Sequence, residues 1–292
     1  MAVVFPRLRA AAAVAAASFA VAGSVLAAPQ VAAVAVTGHA PSRGRAEAYV
    51  QHVPPGPRDE SVARWRDPIC PLVSGLARDE AEALLERLSA VALAVGAPLG
   101  SSDCRPNLYI VASPDPKATL RAWTLREPLL FGPGRETELE HLIRTDRPVR
   151  VWRKVASAAA DGHGESFQSQ ALFGTQSQSN KPILNWANDS HMTSNTARYI
   201  AGAAVVLGPG VRKMNIIQLA DYIALASFAE VNPDADVGQE PSILTLFRPD
   251  AARPEGLSAV DEAYLTALYH VQPNIGSQRT VIADRMAGDV TR

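Results

Sequence analysis

The chain has 292 residues, of which 47% are hydrophobic and 20% are charged. This composition is sufficient to bury a full core, so it excludes a wholly disordered protein. A formal net charge of −1 also excludes the strong positive field of a typical nucleic-acid-binding protein, and we expect no nucleic-acid partner.

The first 27 residues have the pattern of a secretion signal. Arg7 and Arg9 give a positive start, and Ala10 to Leu26 is an uncharged run rich in alanine and valine. We expect cleavage after Ala27; the alternative is an uncleaved membrane anchor. No later segment has about 18 uninterrupted apolar residues, so we expect no membrane span after cleavage. The signal therefore predicts a bacterial protein that is periplasmic or secreted.

The remainder of the chain predicts one domain with loose ends. Residues 28–63 are rich in proline, alanine and glycine and indicate a flexible lead-in. Residues 64–273 carry the helix and strand patterns of a single mixed α/β domain. Residues 274–292 are interpreted as a loosely attached tail.

Both cysteines, Cys70 and Cys104, lie in the exported part of the chain. An isolated pair in an oxidising compartment usually forms a bridge, and we predict a Cys70–Cys104 disulfide. The alternative is two free thiols. The bridge would connect the segment before the first clear helix to the start of the strand that follows it, so its role is structural.

The clearest amphipathic helix runs from Asp79 to Val95, with one apolar face and with Glu82, Glu86 and Arg87 outside that face. Gly96 ends it. A strand follows at Leu108–Ala112. Two short helices are then predicted, at Pro116–Trp123 and Glu136–Ile143.

Two further strands, Val149–Ala156 and Tyr199–Leu207, flank a polar excursion over residues 158–197. This excursion is rich in Gln, Ser, Asn and Gly and lacks helical or strand periodicity. It also contains apolar residues between Ile183 and Trp186. We expect a flap, partly pinned by those residues, over the central helix; the alternative is a disordered loop that points into solvent.

The central helix is predicted within Val211–Val231, which is apolar almost all the way round. Asn215 and Gln218 fit a capping box, which places the helix start at Asn215. Asp221 and Tyr222 are the candidate binding residues on its polar stripe. Because an unpaired buried charge is costly, Asp221 must either pair or face a cleft. The paired alternative is a buried buttress, for which Arg198 and Arg248 are the expected partners.

After the central helix come a short apolar segment, PSILTLF, and a helix within Leu257–His270. Ser258 and Asp261 make the N-terminal cap of that helix. The pattern therefore predicts a second buried helix close to the C-terminus.

The catalytic and metal-binding motifs that we sought are absent or weak. No histidine lies between Met192 and Tyr269, so the central helix cannot carry a pair of histidine ligands. Glu138, Glu140 and His141 share a short helix, but this pattern is more typical of a solvated face. The loop 161–165 (DGHGE) is rich in potential ligands and is also typical of a plain flexible loop. There is no nucleophile elbow and no phosphate-binding loop, so we predict no catalytic residues, metal or cofactor.

Five segments carry a resemblance to a family of uncharacterised exported bacterial proteins: RWRDPICPL, CRPNLYIVAS, LADYIALASFAEV, PSILTLF and LSAVDEAYLTALY. This resemblance implies export and no particular activity. The order of helices and strands is also similar, more weakly, to zincin metallopeptidases. In zincins the central helix holds two histidine ligands and a glutamate base. This sequence lacks all of those residues, so the resemblance implies a degenerate zincin-like fold without the zinc-binding motif.

Together these patterns predict an α/β protein of the α+β type, in which a small mixed sheet packs on a buried central helix. The first functional hypothesis is a non-catalytic exported protein that binds or scaffolds a partner in the periplasm or cell envelope. The alternative is a diverged zincin-like hydrolase that uses His163, His191 and His270 from separate loops. The sequence does not specify a ligand, a partner or an oligomeric state.

Overall fold

The computed structural model describes residues 39–57, 60–131, 135–159, 196–238 and 240–288. The described strands are β1 (Arg64–Trp65), β2 (Pro71–Ser74), β3 (Leu108–Ala112), β4 (Val149–Ala159) and β5 (Thr196–Leu207). The described helices are α1 (Arg43–His52), α2 (Arg78–Val95), α3 (Pro116–Arg126), α4 (Pro128–Phe131), α5 (Glu136–Arg144), α6 (Ile216–Phe228), α7 (Ala259–His270) and α8 (Gln278–Met286). Two 3-10 helices lie at Pro209–Lys213 and Ile243–Phe247. None of the described helices is both long and apolar enough to cross a membrane.

The sheet is mixed, which confirms the predicted α/β class. Strands β2, β3 and β5 are parallel neighbours in that order. The short strand β1 is parallel to the start of β5, at Tyr199 and Ile200. Strand β4 runs antiparallel to β5 and pairs with no other described strand, so it forms one edge of the sheet.

Helices cover both faces of the sheet. The larger apolar core lies between one face and a layer that contains α2, α6 and α7, where Leu108, Ile110 and Val205 point toward those helices. A smaller core on the other face joins Trp152, Ala204 and Val206 to α3, α4 and α5. Alternating side chains of β5 therefore enter different cores, as the pleat of a strand requires.

Helix α6 is the buried centre of the larger core, as predicted. The Asn215 side chain accepts a hydrogen bond from the Ile217 backbone, and the Gln218 side chain accepts one from the Asn215 backbone. These bonds confirm the predicted capping box. Every residue from Leu219 to Phe228 is buried. The helix starts at Asn215 as predicted, and residues 209–213, which overlap the beginning of the apolar stretch, form a separate 3-10 helix.

Three side chains from distant parts of the chain cap the C-terminal carbonyls of α6. The Arg153 guanidinium on β4 donates to the Ala226 carbonyl at 2.6 Å and also to that of Val231 at 2.8 Å. The Trp65 indole on β1 donates to the Ser227 carbonyl at 2.7 Å. The Tyr269 hydroxyl on α7 donates to the Phe228 carbonyl at 2.7 Å. These donors satisfy carbonyls that a helix end leaves without intrahelical partners.

The described parts of both predicted loose ends are packed, which corrects the predictions of a flexible lead-in over residues 28–63 and a loose tail over 274–292. In α1, Ala46, Tyr49 and Val50 are buried. In α8, Ile282 and Met286 are buried, and this helix packs against α1. Each helix is short and largely polar, so its narrow apolar face gave little signal in the sequence.

The predicted disulfide is confirmed: Cys70 and Cys104 are bonded, with their Cα atoms 6.0 Å apart. It connects the segment before β2 to the loop before β3. Gly100 packs directly on it, since a Cβ at this position would lie 2.5 Å from both sulfur atoms. Strands β4 and β5, which flank the predicted polar excursion, pair antiparallel. The predicted flap falls largely on residues 160–195, which lie outside the described residues.

Candidate functional site

Asp221 lies at the centre of the protein and is completely buried. The Arg87 guanidinium on α2 donates two hydrogen bonds to its carboxylate, at 2.6 and 2.9 Å. The Leu257 backbone N–H donates a third at 2.7 Å. A bidentate guanidinium with an added backbone donor satisfies a buried carboxylate. Asp221 is therefore placed as a buttress between α2, α6 and the start of α7.

The partner of Asp221 differs from the expected one. Arg198 pairs with Glu230 instead, at 2.8 Å, and Arg248 donates to the Ala235 carbonyl. Arg87 was predicted on the solvent face of α2, whereas its side chain is only 13% exposed. The position of a residue on a helical wheel does not show how far a long, flexible arginine reaches across to the neighbouring helix.

Tyr222, the next residue, lies in a different environment. Its ring packs edge-on against Phe247, with centroids 4.9 Å apart, and the residue is 4% exposed. Among the described residues no hydrogen bond reaches its hydroxyl, which borders a cavity of about 380 Å³ together with Arg147 and Arg248. Burial raises the pKa of Tyr222, while the charges of Arg147, Arg153 and Arg248 act to lower this pKa.

A second buried carboxylate, Asp261, accepts five hydrogen bonds. The donors are the Tyr49 hydroxyl, the Ser242 hydroxyl, the Ile243 backbone, and both the hydroxyl and the backbone of Ser258. Burial raises the pKa of the Tyr49 phenol well above its usual value, so this hydroxyl remains a donor. Asp261 thus joins α1, the second 3-10 helix and the cap of α7, which is a structural role.

A cleft of about 870 Å³ runs along β4. We call it the β4 cleft. One wall is α5, where Glu138 and His141 face it, and the other is the segment Glu230–Asp234 after α6. The floor consists of β4 residues between Val151 and Ser157.

The backbone at this edge of β4 is available for pairing. The Pro148 carbonyl accepts from the Gly208 N–H, so the backbone groups of Val149, Val151 and Arg153 point away from β5. Among the described residues, one bond reaches these outward groups: the Arg135 guanidinium donates to the Arg153 carbonyl at 2.8 Å. The rest of this outward edge faces the β4 cleft.

Arginine is the most frequent charged residue along the β4 cleft. Three arginines there are ion-paired, and the pairs are Arg135–Glu138, Arg147–Asp234 and Arg198–Glu230. Arg135 also stacks over the Trp152 ring, 4.4 Å from its centroid. The fourth, Arg153, bonds to the Ala226 and Val231 carbonyls and to no carboxylate among the described residues. Burial lowers the pKa of Arg153, and the carboxylate of Glu230 opposes that shift.

The described metal-binding candidates do not lie together. Glu138 and His141 border the β4 cleft, but Glu140 lies 3.5 Å from Arg144 in an ion pair. His270 bonds through Nδ1 to the Thr266 carbonyl. The described residues contain no group of three or more potential ligands. His163, His191 and the loop 161–165 lie outside the described residues.

The β4 cleft was not predicted, nor was the position of Arg248, which donates to the Ala235 carbonyl and has no carboxylate partner among the described residues. A signal was present in PVRVWRKVA, where arginines alternate with valine and tryptophan in a predicted strand. This strand was expected to be half-exposed, whereas Val149, Arg150 and Trp152 are buried and residues 153–156 are partly buried. The position of this strand at the edge of the sheet depends on strand order, which local periodicity does not encode.

Comparison of the chain with protein-family models, curated proteins and solved structures gives no match. The resemblances to exported bacterial proteins and to zincins therefore stay predictions.

Proposed function

We propose that this protein is a non-catalytic binding protein that holds an extended segment of another polypeptide along the edge of β4. The single observation that carries the proposal is the β4 cleft, which opens onto a strand edge that no described strand pairs with. Adding a strand to an exposed sheet edge is a common way for a protein to bind a peptide.

The dimensions of the edge fit a short peptide. From Val149 to Ser157 the strand has about nine residues, which at about 3.3 Å each gives about 30 Å of edge. A bound segment of about six to eight residues would match that length. Side chains of such a segment would alternate between the α5 wall and the Glu230–Asp234 wall.

Arg135 has a defined part in this proposal. A bare strand edge promotes association with other edges, and charged side chains commonly prevent this. The bond from Arg135 to the Arg153 carbonyl gives such protection at the middle of β4. A bound peptide would replace this donor with its own backbone N–H, and the guanidinium would keep its contact with Glu138.

The first experiment locates binding. Both native cysteines are in the disulfide, so Ser157→Cys introduces a unique thiol at an exposed position of the β4 cleft. A fluorophore at this thiol is titrated with a degenerate library of decapeptides. We expect a saturable change in emission. The same fluorophore at Leu93→Cys, on the exposed side of α2, is the control and should not respond.

The second experiment tests strand pairing. The tightest decapeptide is made in two forms, with N-methyl groups on alternate residues in the two possible phases. Only one edge of the peptide pairs with β4, so one form should lose binding and the other should retain it. Equal binding by both forms would show that β4 is not the partner. Concentration-dependent dimers that block peptide binding would assign the edge to a second copy of this chain.

A periplasmic or secreted location belongs to the same proposal. It is supported by the Cys70–Cys104 disulfide, because such bonds persist in oxidising compartments. Fractionation of a bacterium that expresses the full chain would test it: the mature protein should be found outside the cytoplasm, about 27 residues shorter by mass.

The second candidate function is the diverged zincin-like hydrolase. It is favoured by the order in which the antiparallel edge strand β4, then β5, then the buried helix α6 follow one another. Elemental analysis of the purified full-length protein distinguishes the two functions. Zinc at one atom per chain would favour the hydrolase over the binding protein.

A further inference from the structure

The cavity beside Tyr222 contains two polar groups whose hydrogen-bonding or charge requirements are not met by the described residues. The Tyr222 hydroxyl has no hydrogen-bond partner there, although the residue is 4% exposed. Arg248 donates to the Ala235 carbonyl, and among the described residues no carboxylate pairs with it. The Tyr222 hydroxyl itself is not sealed from solvent, so it is open to the cavity, where an acceptor on a ligand can take the place of water.

The cavity adjoins the β4 cleft. The two spaces share Thr145, Arg147, Pro233 and Asp234, and Val149 at the start of β4 borders the cavity. The cavity therefore lies at the N-terminal end of the strand edge. A ligand that follows the edge of β4 would enter it at that end.

The direction of the strand defines which end of a peptide arrives there. A peptide that pairs antiparallel to β4 runs from the Ser157 end toward Val149. Its C-terminus then lies at the cavity, whereas a parallel peptide would bring its N-terminus. Two acidic and two basic side chains line the cavity, but those of Asp146 and Asp234 are 99% and 66% exposed and extend into water, whereas that of Arg147 is 19% exposed. The charge inside the cavity therefore comes mainly from Arg147 and Arg248, which favours a carboxylate over a terminal ammonium group.

We propose that this cavity binds the C-terminal carboxylate of a polypeptide that pairs antiparallel with β4. This inference rests on the proposed function, since it supplies the orientation and the end group of the same ligand. The Tyr222 hydroxyl and the Arg248 guanidinium donate to the carboxylate. Planar guanidinium groups suit this role because they can donate two parallel hydrogen bonds to one carboxylate.

Arg147 becomes a third donor to the ligand when it exchanges its present partner, Asp234, for the ligand carboxylate. It is paired with Asp234, whose side chain is 66% exposed and so can be released into water. An incoming carboxylate takes the place of Asp234 on Arg147. Asp234 therefore neutralises Arg147 when the cavity is empty, and the carboxylate of the ligand neutralises Arg147 when the cavity is occupied.

The experiment compares two forms of one peptide. The decapeptide that binds tightest to the Ser157→Cys reporter is made with a free C-terminal carboxylate and with a C-terminal amide. We expect the free acid to bind at least tenfold more tightly. Equal binding would overturn the inference and leave the proposed function intact, whereas a library in which no decapeptide binds would overturn both.

Variants of the cavity residues test whether the cavity causes the preference for the peptide acid over the peptide amide. Arg248→Met should bring the ratio of acid to amide affinity close to one, and Tyr222→Phe, which removes a single oxygen, should reduce it severalfold. Arg212→Met, at an exposed position on the first 3-10 helix, is the matched control and should keep the wild-type ratio. Thermal unfolding verifies that each variant is folded. A wild-type ratio in both Arg248→Met and Tyr222→Phe would overturn the assignment.

The carboxylate in the cavity could also come from a small free acid, and a competition experiment distinguishes this source from a peptide C-terminus. Acetate and succinate are titrated against the labelled protein and then in competition with the peptide acid. Competition only at millimolar concentration supports the assignment to a polypeptide C-terminus. Binding as tight as that of the peptide acid would overturn it and make the cavity a site for small carboxylic acids.

Discussion

Asp221 and Tyr222 are consecutive residues of one buried helix, yet their polar groups lie in opposite situations. The Asp221 carboxylate is satisfied by Arg87 and the Leu257 backbone. The Tyr222 hydroxyl has no hydrogen-bond partner among the described residues and borders a cavity. Successive residues of a helix point about 100° apart, so one side of α6 faces α2 and the other faces Arg248.

This difference distinguishes polar groups that stabilise the fold from polar groups that are available to bind a ligand. A buried polar group whose bonds are all made within the protein stabilises one arrangement of helices and offers nothing to a ligand. A buried polar group that lacks a partner lowers stability unless something else supplies the bond. The saturated groups, Asp221 and Asp261, are therefore assigned to the fold, and the open groups are the candidates for binding.

The largest expected effect comes from breaking the saturated pair. Arg87→Met keeps most of the aliphatic length but leaves the Asp221 charge buried without its counter-ion. We expect a loss of about 3–5 kcal/mol in the free energy of unfolding, measured by urea denaturation. Arg78→Met, at an exposed ion pair on the same helix, should cause no measurable loss. If Arg87→Met proves as stable as Arg78→Met, Asp221 is not a buttress.

The next effect concerns the other buried carboxylate. Asp261→Asn keeps the shape of the side chain but turns one acceptor into a donor, which then faces hydroxyl and backbone donors. We expect a loss of about 2–3 kcal/mol in the free energy of unfolding. Helix α1 should also become more sensitive to proteolysis, because the bond from Tyr49 to Asp261 helps to hold it. Unchanged proteolysis of α1 would contradict that role.

Two adjoining tyrosines give a smaller and sharper test. The rings of Tyr49 and Tyr264 lie 5.5 Å apart, and only Tyr49 donates a hydrogen bond, to Asp261 at 2.7 Å. Tyr49→Phe removes a bond to a charged acceptor, so we expect a loss of about 1.5–2 kcal/mol in the same urea measurement. An unchanged free energy of unfolding would mean that the remaining four donors satisfy the Asp261 carboxylate.

Tyr264→Phe should act in the opposite direction. The Tyr264 hydroxyl is fully buried and has no hydrogen-bond partner among the described residues, so no bond compensates for its desolvation. Removing it should raise the free energy of unfolding by up to about 1 kcal/mol. Tyr49→Phe serves as its matched comparison, since the same oxygen is removed a few ångströms away. A loss of stability in both variants would mean that Tyr264 has a partner after all.

Much of the fold could be predicted from local patterns. The strand Leu108–Ala112 is found with the predicted bounds, and the caps at Asn215 and Ser258 mark the starts of their helices as expected. These signals succeed because a cap or a strand period depends on residues close in sequence. The Cys70–Cys104 bridge was predictable for another reason, since the chain has only two cysteines.

The candidate site could be predicted only in part. Tyr222 was found from its place on a polar stripe, but Arg87 was assigned to solvent, and Arg248 was considered only as a partner for Asp221. Which groups meet in the β4 cleft depends on the strand order and on the reach of long side chains. Neither quantity is encoded in a window of neighbouring residues. Helices α1 and α8 were missed for a related reason, because they pack against each other and against α7, and these helices are distant from one another in sequence or carry weak local patterns.

The three caps on α6 have a consequence for motion. The last turn of a helix ordinarily frays, and its amides exchange with solvent faster than those at the centre. Here that turn is fastened to β1, β4 and α7 by Trp65, Arg153 and Tyr269, so its amides should exchange only when the sheet itself opens. Arg153 also lies in the floor of the β4 cleft. That floor is therefore preorganised, and a bound chain would lose its own conformational freedom without first having to order the protein.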